Sequence, residues 1–278
     1  MFLVTGANGQ LGHELRLLLG DSAVYAGHSE LDISDEAAVK AVFEAQRFDF
    51  VINCAACTAV DKAEDDFEAA DRINRLGPAL LAKYGRHVIQ VSTDYVFDGT
   101  AHLPYKEEDE VNPVSVYGST KLAGEEAVLA EADTAVVIRT SWLYSCFGSN
   151  FVKTMRRLGA ERDSLGVIFD QVGTPTHAAD LAAAIVAILP QIKPGTKEIY
   201  HYSNEGVASW YDFAIAIMSE SGLFCEVRPL ETSEYPTRAK RPAYSVLNKA
   251  KIRRDFGLSI PHWMDSLKRC IAKLDEQA

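Results

Sequence analysis

At 278 residues, with 47% hydrophobic side chains and no low-complexity tract, the chain can bury a large core, either as one domain or as a cofactor domain with a smaller companion. Its net charge of −11 argues against DNA or RNA as the main partner, because binding such polyanions relies on clustered Lys and Arg. The longest helical apolar run, 181–189, is too short to span a bilayer, a strand at Met1 leaves no room for a leader, and five irregularly spaced cysteines read as reduced thiols, so we expect a cytoplasmic protein.

The chain opens on an apolar run at 2–4 that leads into a glycine-rich turn, Gly6-Ala7-Asn8-Gly9-Gln10-Leu11-Gly12, and then an amphipathic helix over 10–19. In that order, strand, turn and helix suit a dinucleotide. The first glycine permits a sharp exit from the strand, the second lets the backbone approach a pyrophosphate, and the third lets helix and sheet pack closely. The phosphates then meet the positive end of the helix. Strand-like runs at 23–26, 50–53, 88–91 and 135–138 alternate with helical patterns at 35–46, 65–83 and 117–131. That alternation predicts an α/β fold with a Rossmann-type, doubly wound parallel sheet covered by helices on both faces. Past residue 145 the pattern is less regular, with strand candidates at 166–168, 199–202 and 226–230 and helices at 150–160, 178–189, 210–221 and 261–274. We read 1–145 as an NAD(P)-binding domain and 146–278 mainly as a smaller α/β substrate-binding lobe, with the chain recrossing into the first domain near 174–189.

Tyr117 and Lys121 are four apart, so on a helix they rise on one face. Reducing a ketone by hydride transfer needs a proton donor at the developing alkoxide, and a tyrosine is helped by an ammonium that makes its phenolate accessible. Lys121 would supply that charge and also hold the nicotinamide ribose. With eleven tyrosines, about half a Tyr-x-x-x-Lys is expected by chance, so context decides. Ser92-Thr93-Asp94 follows the strand at 88–91, which puts polar side chains at the carboxyl end of a parallel strand, where open α/β sheets bind ligands. Cys54 and Cys57 form a C-x-x-C at the end of the strand over 50–54, where the fold puts the cofactor wall, so we do not read them as a redox pair.

GANGQLG, NCAACTAVDKAE (53–64), VSTDYVFDG (91–99), PVSVYGSTKLAGE (113–125) and RTSWLY (139–144) resemble the extended short-chain dehydrogenase/reductases, and more narrowly the dTDP-4-dehydrorhamnose reductase family. With GSNFVKTM, DQVGTPT and TRAKRPAYSVLN the resemblance covers nearly the whole chain. It implies NAD(P)H-dependent reduction of the 4-keto group of dTDP-4-dehydro-L-rhamnose, with Tyr117 as proton donor, Lys121 as its partner and Thr93 as the polarising hydroxyl. Asp94 and Tyr95 would face the sugar and Trp142 would lie against its ring, although Trp142 taken alone reads as core. Gly6, Gly9, Gln10, Leu11 and Gly12 match the pyrophosphate turn, Asp32 and Ile33 the adenine side, and Ala55, Ala56, Cys57 and Thr58 the inner cofactor wall. Arg241, with Arg238 and Lys240 beside it, would meet the diphosphate of the nucleotide-sugar substrate.

The second strand runs out into Ala26-Gly27-His28-Ser29, with no acid for a ribose 2′-hydroxyl and no arginine for a 2′-phosphate. The absent carboxylate favours NADPH, with NADH left open. Some family members hold Mg2+ at a dimer contact through glutamates. Glu14 matches one such position and Ala179, which cannot ligate, falls at the other, so Mg2+ and the choice between monomer and homodimer stay open. Seven histidines without ligand spacing predict no zinc or catalytic metal. Alternatives are a nucleotide-sugar epimerase of the same fold, a 4,6-dehydratase, and a non-catalytic dinucleotide-binding subunit resembling the regulatory subunit of methionine adenosyltransferase. Dehydratases of this fold carry Asp-Glu after the active-site threonine, whereas here Tyr95 follows Asp94.

Overall fold

In the computed structural model, which describes residues 1–277, the first five strands are β1 (Phe2–Thr5), β2 (Ala23–Ala26), β3 (Phe50–Asn53), β4 (His87–Thr93) and β5 (Thr134–Thr140). Side chains alternate across a strand with a period of two, and here both alternating sets are apolar. Val4, Ile52, Ile89 and Val136 face one side, and Leu3, Val51, Val88 and Ala135 the other. A sheet with no solvent-facing side needs helices on both. In this half of the chain they come from α1 (Gln10–Leu19), α2 (Glu36–Ala45), α5 (Gly77–Gly85) and α6 (Val116–Glu131), while α3 (Val60–Ala63) and α4 (Phe67–Asp71) pack beside α6. Leu11 and Leu15 of α1 pack on the first face, and Val39, Leu81 and Val128 of α2, α5 and α6 on the second.

The helix expected over 65–83 is interrupted. Between α4 and α5 the residues Arg72–Leu76 form a wider π-turn. Pro78 has no N–H to give the carbonyl of Asn74 four residues back, so the regular ladder cannot run through. Asn74 is fully buried there and bonds across to other elements instead.

After β5 come β6 (Leu143–Tyr144), α7 (Phe151–Glu161), β7 (Ser164–Ile168), β8 (Val172–Gly173), β9 (Thr176–His177), α8 (Ala178–Ile188), β10 (Lys197–His201), β11 (Ala208–Ser209), α9 (Trp210–Glu220), β12 (Glu226–Leu230), α10 (Ala250–Phe256) and α11 (Trp263–Asp275). The strand read from sequence at 199–202 is not part of the small lobe. As β10 it pairs in parallel with β5, Lys197 opposite Ala135, and completes a six-stranded sheet in the order β10-β5-β4-β3-β1-β2. On the way α8 lays Leu181 and Ile185 against Leu11 and Leu15. Helix α10 and the short α3 had no counterpart in the sequence reading. The lobe has its own core, where Val152, Leu165, Phe213, Val227 and Leu267 come from α7, β7, α9, β12 and α11. Burying each such side chain contributes about 1.5–3 kcal/mol. Among the described residues no helix is long and apolar enough to cross a membrane.

Candidate active site

The sheet order reverses at β1, which has β2 on one side and β3 on the other, and a crevice opens at the carboxyl ends there. Gly6 leaves β1 with φ +65°, and a Cβ on it would stand 2.5 Å from the backbone nitrogen of Ala55, so only glycine fits. A Cβ on Gly12 would stand 2.6 Å from Ala7 Cα, which is how closely α1 approaches its own turn. Gly9 caps α1 with no side-chain hydrogen bond, and the first turn of α1 holds no acid. The opening N–H groups of α1 therefore have no side-chain acceptor and no carboxylate to repel an anion, and this fits a pyrophosphate.

A cavity of about 560 Å³ lies over this turn. Gly6, Gly9, Gln10, Leu11, Gly12, Ala56, Thr58, Thr93, Asp94, Tyr95, Tyr117, Lys121 and Trp142 all line it. Ser115 caps α6 by accepting from Gly118 N at 3.1 Å, which sets the helix so that Tyr117 and Lys121 face the end of β4. Both side chains are buried. Lys121 donates from Nζ to the Val91 carbonyl at 2.6 Å. Burial brings its pKa down to about 8, against the pull of the Glu125 carboxylate one turn along α6. Burial likewise pushes Tyr117 up to about 12, countered by the Thr93 hydroxyl and reinforced by Asp94. Tyr117 is therefore a protonated donor throughout the neutral range. Thr93 donates to Asp94 Oδ1 at 3.1 Å, while Asp94 Oδ2 has no partner within the protein. Desolvation lifts the Asp94 carboxyl to about 6, with Ser245 and Thr93 opposing.

Beneath Lys121 lies a buried ion pair. Glu125 and Arg139, on α6 and β5, meet at 2.7 Å with side chains 1% and 3% exposed, and Ser92 donates to Glu125 at 2.5 Å. This pair fixes α6 against β5.

On the lobe side Trp142 sits at φ 49° and stacks on Trp210 with ring centroids 3.6 Å apart. A Cβ on Gly173 would lie 2.8 Å from the Trp142 ring. Trp210 opens α9 behind a capping box between Ser209 and Asp212, and it walls both this cavity and a second one of about 790 Å³. The second cavity has an apolar floor from α7 and β7, including Phe151, Met155 and Val167, and a rim carrying Arg238 and Arg241. Arg241 pairs with Asp61 of α3 at 2.6 Å and Arg238 pairs with Asp65.

Several of the expected residues lie outside the first cavity. Arg241 lines the second cavity, and Lys240 is exposed and lines neither. Ala55 packs against Gly6, and Cys57 is held by Asn74, which accepts from Cys57 N at 2.9 Å. Asp32 accepts from Ser34, and Ile33 is buried against Gly77. Sequence reasoning missed Trp210, which its Ser-Trp-Tyr-Asp cap signature could have flagged, and it did not weigh Glu30, which lines neither cavity. The turn after β2 does carry an acid: Glu30 folds back to accept from Gly27 N at 2.8 Å and Ser29 Oγ at 2.7 Å. The Ser29 hydroxyl, aided by Gly27 N–H, holds its carboxyl below the usual range. Glu14 is buried against Ser145, and among the described residues no three His, Cys, Asp or Glu are grouped to hold a metal.

Residues 1–276 match the family model described as the RmlD substrate binding domain. A dTDP-4-dehydrorhamnose reductase of Aggregatibacter actinomycetemcomitans is 41% identical over 283 residues, spanning 96% of each chain. Among solved structures, a dTDP-4-dehydrorhamnose reductase from Clostridium acetobutylicum is 42% identical with a TM-score of 0.93, covering 99% of both chains. One from Bacillus anthracis, solved in complex with NADP, is 36% identical with a TM-score of 0.94, covering 98% of both.

Proposed function

Because this chain belongs to the dTDP-4-dehydrorhamnose reductase family, we propose that it reduces the 4-keto group of dTDP-4-dehydro-L-rhamnose to give dTDP-L-rhamnose. The observation that carries the reading is the convergence of Tyr117, Lys121 and Thr93 on one wall, beside an uncapped helix N-terminus. Gly9, Gln10 and Leu11 would hold the pyrophosphate of a nicotinamide dinucleotide, with Ala56 and Thr58 along its inner side. The bound dinucleotide supplies the hydride. The Thr93 hydroxyl turns from Asp94 to donate its hydrogen bond to the ketone oxygen, Tyr117 gives the alkoxide its proton, and Lys121 stabilises the phenolate left behind. Asp94, which lines the cavity and whose buried Oδ2 has no hydrogen-bond partner, takes a sugar hydroxyl. The Trp142–Trp210 pair offers an apolar face to the sugar ring. The second cavity, with Arg241 and Arg238 on its rim, takes the nucleoside diphosphate.

Glu30 sets the coenzyme balance. A carboxylate at the end of β2 accepts a ribose 2′-hydroxyl and repels a 2′-phosphate, so it discriminates against NADPH without excluding it. The test is to supply the purified protein with dTDP-4-dehydro-L-rhamnose and with NADPH or NADH in parallel. The proposal requires loss of reduced-nicotinamide absorbance with matching formation of dTDP-L-rhamnose. Binding of both coenzymes without turnover would move the assignment to another nucleotide-sugar or to a regulatory subunit.

A further inference from the structure

One side chain links the two cavities while lining neither. Asn150 precedes α7, and its Oδ1 caps that helix by accepting from Lys153 N at 3.1 Å. Its Nδ2 donates to the Ser145 carbonyl at 2.7 Å and, across to the cofactor side, to Gln10 Oε1 at 3.0 Å. Gln10 is the first residue of α1 and a wall of the first cavity. One turn further along α1, buried Glu14 accepts from Ser145 Oγ at 2.5 Å. The segment 143–150 is thus tied to α1. It follows Trp142 at one end, and at the other it hands over to Phe151, whose ring lies 4.7 Å from that of Trp210 on the wall of the second cavity.

A helix cap alone would be met by serine, threonine or aspartate. Only an amide can cap with its oxygen while donating from its nitrogen, and here the nitrogen is what reaches α1. We propose that Asn150 is a positioning residue that makes the two cavities respond to one another. A dinucleotide held at the N-terminus of α1 fixes Gln10, Gln10 fixes Asn150, and Asn150 fixes the first turn of α7, which floors the second cavity. The identity of the two ligands rests on the function proposed above, whereas the coupling itself is read from these bonds.

Asn150→Ser keeps a capping hydroxyl and removes the amide donor. Hydrogen exchange is followed with and without NADPH, and in parallel NADH, in wild type and variant. In wild type the dinucleotide slows exchange in α1 and also in the first turns of α7, by about five-fold there, the worth of one net hydrogen bond. In the variant the dinucleotide binds nearly as tightly and protects α1, but protection of α7 is lost. Asn150→Thr, which also caps, replaces the serine variant if that one melts early. Equal protection of α7 in the variants, or a wild type that binds dinucleotide without protecting α7, overturns the coupling and leaves the reductase reading intact. A wild type that binds neither coenzyme removes both.

Discussion

Replacing Lys121 by methionine should make the protein more stable and nearly inactive. Burial lowers the pKa of this lysine from 10.5 to about 8, and at about 1.36 kcal/mol per pH unit its charge costs the folded state about 3 kcal/mol at neutral pH. Methionine fills similar volume but gives up the bond from Nζ to the Val91 carbonyl, which offsets about 1–2 kcal/mol and leaves a net gain of about 1–2 kcal/mol at pH 7. The sign reverses familiar experience with ion pairs. The unfolded chain keeps this lysine protonated up to about 10.5 and the folded chain only to about 8, so between those values the unfolded state binds more protons and wild-type stability rises with pH. The variant lacks that rise, so its advantage shrinks over the same interval. Urea denaturation of both proteins from pH 7 to 10 measures the gap. Activity moves the other way, because loss of the Lys121 charge above about pH 8 brings wild-type kcat/KM down, and the variant should lie at least about a hundred-fold below wild type throughout. A methionine variant less stable than wild type at pH 7, or a gap unchanged up to pH 10, would refute the reasoning.

If Tyr117 is the proton donor as proposed, Tyr117→Phe should lower kcat by about 10²–10⁴-fold while coenzyme Kd stays nearly constant; steady-state kinetics beside a binding titration separates the two. Glu30→Gln should raise kcat/KM with NADPH relative to NADH by about five-fold or more, as a repelling charge leaves the 2′ position; an unchanged ratio places the ribose elsewhere. Glu125→Gln strands the Arg139 guanidinium, whose Nη1 already lacks a partner, in a buried site, and should cost about 3–5 kcal/mol by denaturant titration. The same change removes a carboxylate that holds the Lys121 pKa up, so the alkaline fall in kcat/KM should begin at lower pH.

What could be read from the sequence was local. The glycine turn, the first five strands and the Tyr117–Lys121 spacing each lie within a few residues of chain, where period and steric demand decide the geometry. The rest depends on partners distant in sequence. The run at 197–201 looks like any short strand until β5 offers it an edge more than fifty residues away. Glu30 escaped because the acid was sought directly after β2, whereas the chain carries it past a turn and folds it back onto Gly27. Trp210 acquires its place only when α9 brings it onto Trp142. The interruption at Arg72–Leu76 follows from Pro78, and the proline was visible within the run read as one helix.

That wide turn has a consequence for anyone editing this protein. Asn74, inside it, accepts from Cys57 N, donates to Cys57 O at 3.2 Å and donates to Thr120 at 3.1 Å. It therefore stitches the loop after β3 to the helix that bears Tyr117. Each residue of an α-helix advances the chain by about 100°. Deleting one residue to regularise α4 and α5 into a single rod would swing Asn74 or the whole of α5 off its face, so an edit that improves helical geometry on paper would dismantle the wall beside Tyr117.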